Sequence, residues 1–312
     1  MKKYKELYYQ SLEKNKLLET INTNLINLIN KLEIKNEQIK YPIDSNQNKN
    51  LKFISLEEKK KYIINKFINN VKNKEILITN NKHDGSEGHW LEKQMGVTHN
   101  SKNEPDILGF EMKKESSKIT FGDFSASEYL FSKNKILLNN FNKWNNDNSI
   151  TRTEFIRYFG HPNKLKNNRY SWSGKCVPKY NIWNSYGQTL KFNNNLDLCV
   201  YYSFEHDNRE SKTSFPDFLK NSLMIAIWQK CKIESHINKK FNNNGFFICK
   251  KINSSLYNKI CFGRPFNYDY FVDNIKNNII IFDSGMYETN SRNYSHFRSN
   301  KKFWDLLLDE EF

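Results

Sequence analysis

The chain has 312 residues, 38% hydrophobic and 15% aromatic, enough to fill the core of one large domain and too apolar for a disordered chain. No run of roughly 18 apolar residues and no charged n-region leading into an apolar h-region occurs, so neither a membrane span nor a secretory leader is expected, and a cytoplasmic setting is. Lys and Arg number 49 against 34 Asp and Glu, a formal charge of +15 that attracts polyanions, while five scattered cysteines without a C-x-x-C pair argue against a disulfide framework or a structural zinc site.

The first element differs in kind from the rest. In LLETINTNLINLINKLEI, Leu18, Ile21, Leu25, Leu28 and Leu32 fall three and four apart, the seam of an amphipathic or coiled-coil helix over 1–41. That seam needs a partner, either a second protomer, giving a homodimer, or the chain's own body. Pro42 and the polar DSNQNKN make 42–54 a linker. The body, 55–312, opens with a capping box, Ser55 and Glu58, ahead of a helix with Ile63, Ile64, Phe67 and Val71 on one face.

NNKHDGSEGHW is rich in turn residues, GHWLEKQMG is a short helix between glycines, and 105–131 alternates turn and strand signals, with ITFGDF a strand. FGDFSASEY has no G-x-S-x-G elbow, so Ser125 and Ser127 are expected at a helix start rather than as nucleophiles. TRTEFIRYFG (151–160) is expected to be a helix ending at Gly160, and NLDLCVYYSF (195–204) and NNIIIFDSG (277–285) buried strands. Helices are expected over 215–232 and 301–309. Strands and helices mix without regular βαβ alternation, which predicts an α/β or α+β layer fold.

EPDILGFEMKK (104–114) carries the chemistry. Hydrolysis of a phosphodiester needs a divalent cation, and Mg²⁺ is held by a few carboxylates plus waters and substrate oxygens. On a strand Glu111 and Lys113 share one face while Phe110 and Met112 face the core, and Asp106 opens the hairpin that brings a second carboxylate to them. The same loose pattern occurs at Asp44/Glu57/Lys59 and Asp197/Glu210/Lys212. The former opens a helix, where i and i+2 diverge, and the latter lies in a polar run. The alternative for Asp106, Glu111 and Lys113 is a solvated hairpin.

The longer stretch GSEGHWLEKQMGVTHNSKNEPDILGFEMKK (85–114) resembles the catalytic core of the MutH-like branch of PD-(D/E)xK endonucleases, which includes restriction enzymes of the MvaI/BcnI kind. The resemblance implies Glu92 as a helical acid, Asp106 and Glu111 as metal-binding carboxylates, Lys113 as the catalytic lysine and Mg²⁺ as cofactor. It implies a restriction-endonuclease-like fold, a central mixed sheet flanked by helices, here with an added N-terminal helix. It makes 55–312 the catalytic and DNA-recognition region of a type II enzyme cutting double-stranded DNA to leave 5′-phosphate ends, with a cognate DNA methyltransferase in the same system. A MutH-like repair nickase and a non-catalytic basic DNA-binding protein stay open.

Seven histidines, His83, His89, His99, His161, His206, His236 and His296, show no H-E-x-x-H, and no phosphate-binding G-x-x-x-x-G-K-[ST] loop occurs. For reading sequence, SGMYETNSRNYSHFRSNKKFW (284–304) places Arg292, Tyr294, His296, Arg298, Lys301 and Lys302 close together, and a loop of that kind suits the major groove. A basic loop touching only phosphates is the alternative there, and NRYSWSGK (168–175) is the next candidate.

Overall fold

The computed structural model describes residues 55–76, 85–97, 104–143, 149–252 and 256–312. The expected helix over 1–41 and linker 42–54, with His83 and His99, lie outside the described residues. In chain order come helices α1 (Leu56–Asn70) and α2 (Ser86–Gln94), strands β1 (Glu111–Lys114), β2 (Lys118–Asp123) and β3 (Glu128–Tyr129), and helices α3 (Ile136–Asn142) and α4 (Arg152–Phe159). Strands β4 (His161–Asn163), β5 (Arg169–Trp172), β6 (Tyr186–Phe192), β7 (Leu198–Asp207) and β8 (Ser222–Trp228) precede α5 (Lys230–Phe241). Then follow β9 (Phe246–Ile252), β10 (Leu256–Gly263), α6 (Tyr268–Lys276), β11 (Ile281–Asp283), β12 (Met286–Tyr287), β13 (His296–Asn300), α7 (Lys301–Asp305) and β14 (Leu308–Glu311).

Two helix starts follow from reciprocal caps. Ser55 Oγ accepts from the Glu58 N–H and Glu58 accepts from the Ser55 N–H, and Thr151 and Glu154 repeat the arrangement at α4, each cap stabilising by about 1 kcal/mol. Ile63, Phe67 and Val71 bury against Trp90 and Leu91 of α2 and Phe110 and Met112 at β1, each large side chain contributing about 1.5–3 kcal/mol.

The sheet beneath them has the order β1-β9-β10-β14, β1 parallel to β9 and the other pairs antiparallel. Phe247 and Cys249 of β9 face the α1/α2 side, while Phe246 and Ile248 enter the larger core with Phe241, Phe266 and Trp304. Both faces of this sheet are thus covered, and β1 is one of its strands. The larger core also holds the sheet β3-β8-β7-β6 and the shorter β11-β13-β2 and β12-β5-β4.

Three expected elements differ. The helix over 215–232 is a 3-10 turn, Asp217–Leu219, then strand β8, with α5 beginning only at Lys230. Every residue from Leu223 to Trp228 is buried, so the segment is an interior strand between β7 and β3, and a run apolar on both faces has no helical period to read. The strand over 277–285 shrinks to Ile281–Asp283, because α6 runs to Lys276 and Asn278 turns the chain with φ 55°. The helix over 301–309 stops at Asp305, and Leu308–Glu311 instead pairs with β10. Ser125 and Ser127 lie in the connection between β2 and β3, not at a helix start; Ser127 Oγ accepts from the Gln229 N–H at 3.1 Å. Among the described residues no helix is long and apolar enough to cross a membrane.

Candidate active site

Asp106 is placed by a tight turn. Ile107 and Phe110 exchange backbone hydrogen bonds at 3.1 and 2.9 Å, and Leu108 and Gly109 between them have φ of 49° and 84°, the primed-turn geometry that favours glycine second. A Cβ on Gly109 would fall 2.6 Å from Asn244 Nδ2, and that amide donates to the Leu108 carbonyl at 2.8 Å, so the loop after α5 grips the turn. The Met112 N–H then donates to Asp106 Oδ2 at 2.8 Å, folding the carboxylate back onto β1.

Glu111 and Lys113 share the face of β1 opposite Phe110 and Met112, both are buried, and Lys113 Nζ donates to Glu111 Oε1 at 2.8 Å. Lys240, near the end of α5, donates to the same oxygen at 2.8 Å. Glu111 Oε2 is buried and meets no hydrogen-bond partner, a condition that calls for a water or an ion. Burial, then the neighbouring charge of Glu111, pushes the Asp106 carboxyl up to about 6, against the pull of Lys113 and Lys240. A pair of carboxylates so crowded is relieved by a cation. Among the described residues no cluster of three or more His, Cys, Asp or Glu side chains is arranged for a metal. Asp106 and Glu111 are the two carboxylates that could hold a cation here, a donor set nearer to what Mg²⁺ takes from a protein than to a zinc site.

Lys240 escaped the reading of the motif, yet it left a signal. Ile233, Ile237, Lys240 and Phe241 form the buried stripe of α5, and a lysine inside an apolar stripe demands a buried partner.

Glu92 sits on α2, and its carboxylate lies 3.3 Å from His89 Nδ1. The helix is fixed through Glu87, which accepts from Tyr257 Oη at 2.5 Å and pairs with Lys251 at 2.7 Å and Lys114 at 3.3 Å. Lys114 adjoins Lys113 on β1, so Glu87 ties α2 to the strand that carries the site.

The six candidate reading residues divide. Arg292 is exposed, 3.2 Å from Asp123 and 5.0 Å over the Tyr294 ring, which in turn lies 5.5 Å from His296. His296 and Arg298 share one face of β13, and His296 lies in register between Asp283 of β11 and Asp123 of β2. Arg298 Nη2 donates to His296 Nδ1 at 3.1 Å, and Nη1 lies 3.6 Å from Asp283. Burial, then the Arg298 charge, holds His296 below the ordinary imidazole range, consistent with a neutral ring accepting at Nδ1. Arg298 Nε and Asp283 Oδ1 are buried without partners. Lys301 and Lys302 stand on α7, where Lys301 pairs with Glu115 at 3.1 Å and Asp305 at 2.8 Å and Lys302 is exposed.

Arg152, also missed, organises the loop before β13. From α4 it donates to Asn293 Oδ1 (2.8 Å), Asn290 Oδ1 (2.7 Å) and the carbonyls of Arg292 (3.0 Å) and Tyr287 (3.2 Å).

Comparison with known proteins is consistent throughout. The profile of the LlaMI restriction endonuclease family matches residues 66–312. The type II restriction enzyme ScrFI of Lactococcus lactis subsp. cremoris is 38% identical over 267 residues, covering 80% of this chain and 97% of that protein. The structure of restriction endonuclease MvaI with cognate DNA substrate matches with a TM-score of 0.51 at 15% identity, covering 83% of this chain and 99% of that one.

Proposed function

The chain belongs to the LlaMI restriction endonuclease family and has a restriction-endonuclease-like fold, and from that membership we propose a type II restriction enzyme that cuts both strands of duplex DNA at a specific sequence, with Mg²⁺ as cofactor, leaving 5′-phosphate ends. The observation that supports the catalytic assignment is the buried, unpartnered Oε2 of Glu111 beside a second carboxylate whose pKa is raised to about 6.

A bound cation would lower the pKa of an attacking water and offset charge on the phosphate. Asp106 and Glu111 would hold it. Lys113 and Lys240, both anchored on Glu111 Oε1, keep that carboxylate oriented, and the Lys113 charge orients the water and stabilises the phosphate as negative charge builds there. Glu92 is the accessory acid of α2. Arg292, Tyr294, His296 and Arg298 are assigned to base edges, and Lys301 and Lys302 to phosphates; the charge of +15 fits a partner whose phosphates must be neutralised. We place the enzyme in the cytoplasm with a DNA methyltransferase of the same system, and assign the apolar seam Leu18, Ile21, Leu25, Leu28 and Leu32 to a homodimer contact.

Incubation of purified protein with supercoiled plasmid and Mg²⁺ tests this reading. Discrete linear fragments with 5′-phosphate ends are expected; nicked circles would make the protein a nickase, and retention on DNA without cutting a non-catalytic binder.

A further inference from the structure

Between α4 and β6 the chain builds an arm that the active site does not use. β4 and β5 pair antiparallel up to Asn163↔Arg169, and the tip is one 3-10 turn, Lys164–Lys166. Asn163 Oδ1 accepts from the Leu165 N–H at 3.0 Å, and Asn167 and Asn168 take left-handed φ of 53° and 56°, which asparagine tolerates better than most residues. The tip therefore has a set shape. It holds up Leu165, which at 92% exposure exceeds every other exposed large apolar side chain among the described residues. The arm reads HPNKLKNNRY, with Lys164, Lys166 and Arg169 and no acid.

The base of the arm is tied to the body by pairing and hydrogen bonds. Trp172 is buried, and its Nε1 donates to Gln188 Oε1 at 2.7 Å. β12 pairs with β5 through Tyr287↔Ser171, and Glu288 accepts from the Tyr170 N–H at 2.8 Å and from Arg157 Nε at 2.6 Å. The Arg169 guanidinium lies 3.7 Å over the Tyr287 ring, with its Nε buried and unpartnered. Arg157, Lys166, Arg169 and Tyr170 line an open hollow of about 680 Å³. Residues 168–175 and 284–304, read from sequence as rival recognition elements, are thus joined through β5 and β12.

We propose that this arm is a DNA probe: Leu165 enters a groove of the duplex as an apolar wedge, while Lys164, Lys166 and the cations of the hollow take the flanking phosphates. The proposal rests on the endonuclease reading above. An apolar tip between cations, with Glu288 of the hollow already paired with Arg157, matches a partner whose rim is anionic and between whose base steps an apolar wedge can insert. A second copy of the chain, itself carrying +15, offers no such complement.

The test compares wild type with Leu165→Ala and with the double variant Lys164→Ala/Lys166→Ala. Binding is measured to a linear plasmid fragment that the enzyme cuts and to one of equal length that it does not, with Ca²⁺ replacing Mg²⁺. Leu165→Ala is expected to melt and sediment as wild type yet bind the cut fragment roughly tenfold or more weakly. The lysine variant should flatten the slope of log affinity against log salt by roughly two. Wild-type affinity and salt slope in both variants of a protein that still cuts DNA would overturn the arm alone, as would a changed sedimentation coefficient without loss of DNA affinity, which would make Leu165 a protein contact. A wild-type protein that neither binds nor cuts DNA would overturn the endonuclease reading and the arm together.

Discussion

Lys240 Nζ lies 2.8 Å from Glu111 Oε1, although 129 residues of chain separate them. Its charge is also among those that draw the Asp106 pKa down. Lys240→Met, which keeps the length and removes the charge, is expected to lower kcat/KM on plasmid about tenfold or more and to move the acidic limb of the pH–rate profile upward. A lower rate with an unmoved limb would reduce Lys240 to a structural role.

Asp106 sets a pH dependence of stability in the metal-free protein. Its carboxyl is raised from 3.8 to about 6 by burial and Glu111, so the folded state holds the proton more tightly than the unfolded one. That stabilisation is present below the unfolded pKa and is lost as pH rises through the folded value. Asp106→Asn should therefore melt higher than wild type above pH 6 without divalent cation, with the gap closing towards pH 4. Calorimetry across that window, in chelator, checks it; a gap independent of pH would contradict the assigned burial.

Arg152 holds residues 287–293 through four hydrogen bonds. Arg152→Met should cost about 1–3 kcal/mol and speed amide exchange in that loop, leaving exchange in β1 and β9 unchanged. Uniform acceleration across the chain would mean the residue supports the core rather than the loop.

Arg292 and Arg298 are assigned to base edges, so replacing either by Ala should relax discrimination at one position of the site by roughly 1–3 kcal/mol. Cleavage of duplexes carrying single mismatches to the site measures this. If both variants show only a uniform, salt-dependent loss, the pair contacts phosphates alone.

The site was legible where its causes are local. Phe110 and Met112 alternate with Glu111 and Lys113, so a short strand could be read directly, and the Ser55/Glu58 and Thr151/Glu154 caps announced their helices. What stayed hidden depends on tertiary contacts. Lys240 meets Glu111 across 129 positions of sequence, where β9 pairs with β1, and Arg152 reaches a loop 135 or more residues away. β8 was misread as a helix because burial on both faces erased the alternation that marks a strand.

The most direct measurement is the activity of Asp106→Ala on plasmid with Mg²⁺, read beside its binding to the same DNA. Asp106 and Glu111 are the carboxylates assigned to the cation, whereas the residues assigned to DNA contacts, Arg292 to Lys302, stay in place, so the account predicts no fragments at any enzyme concentration tested and DNA affinity within about twofold of wild type. Cutting by Asp106→Ala at the wild-type sites and rate would contradict it.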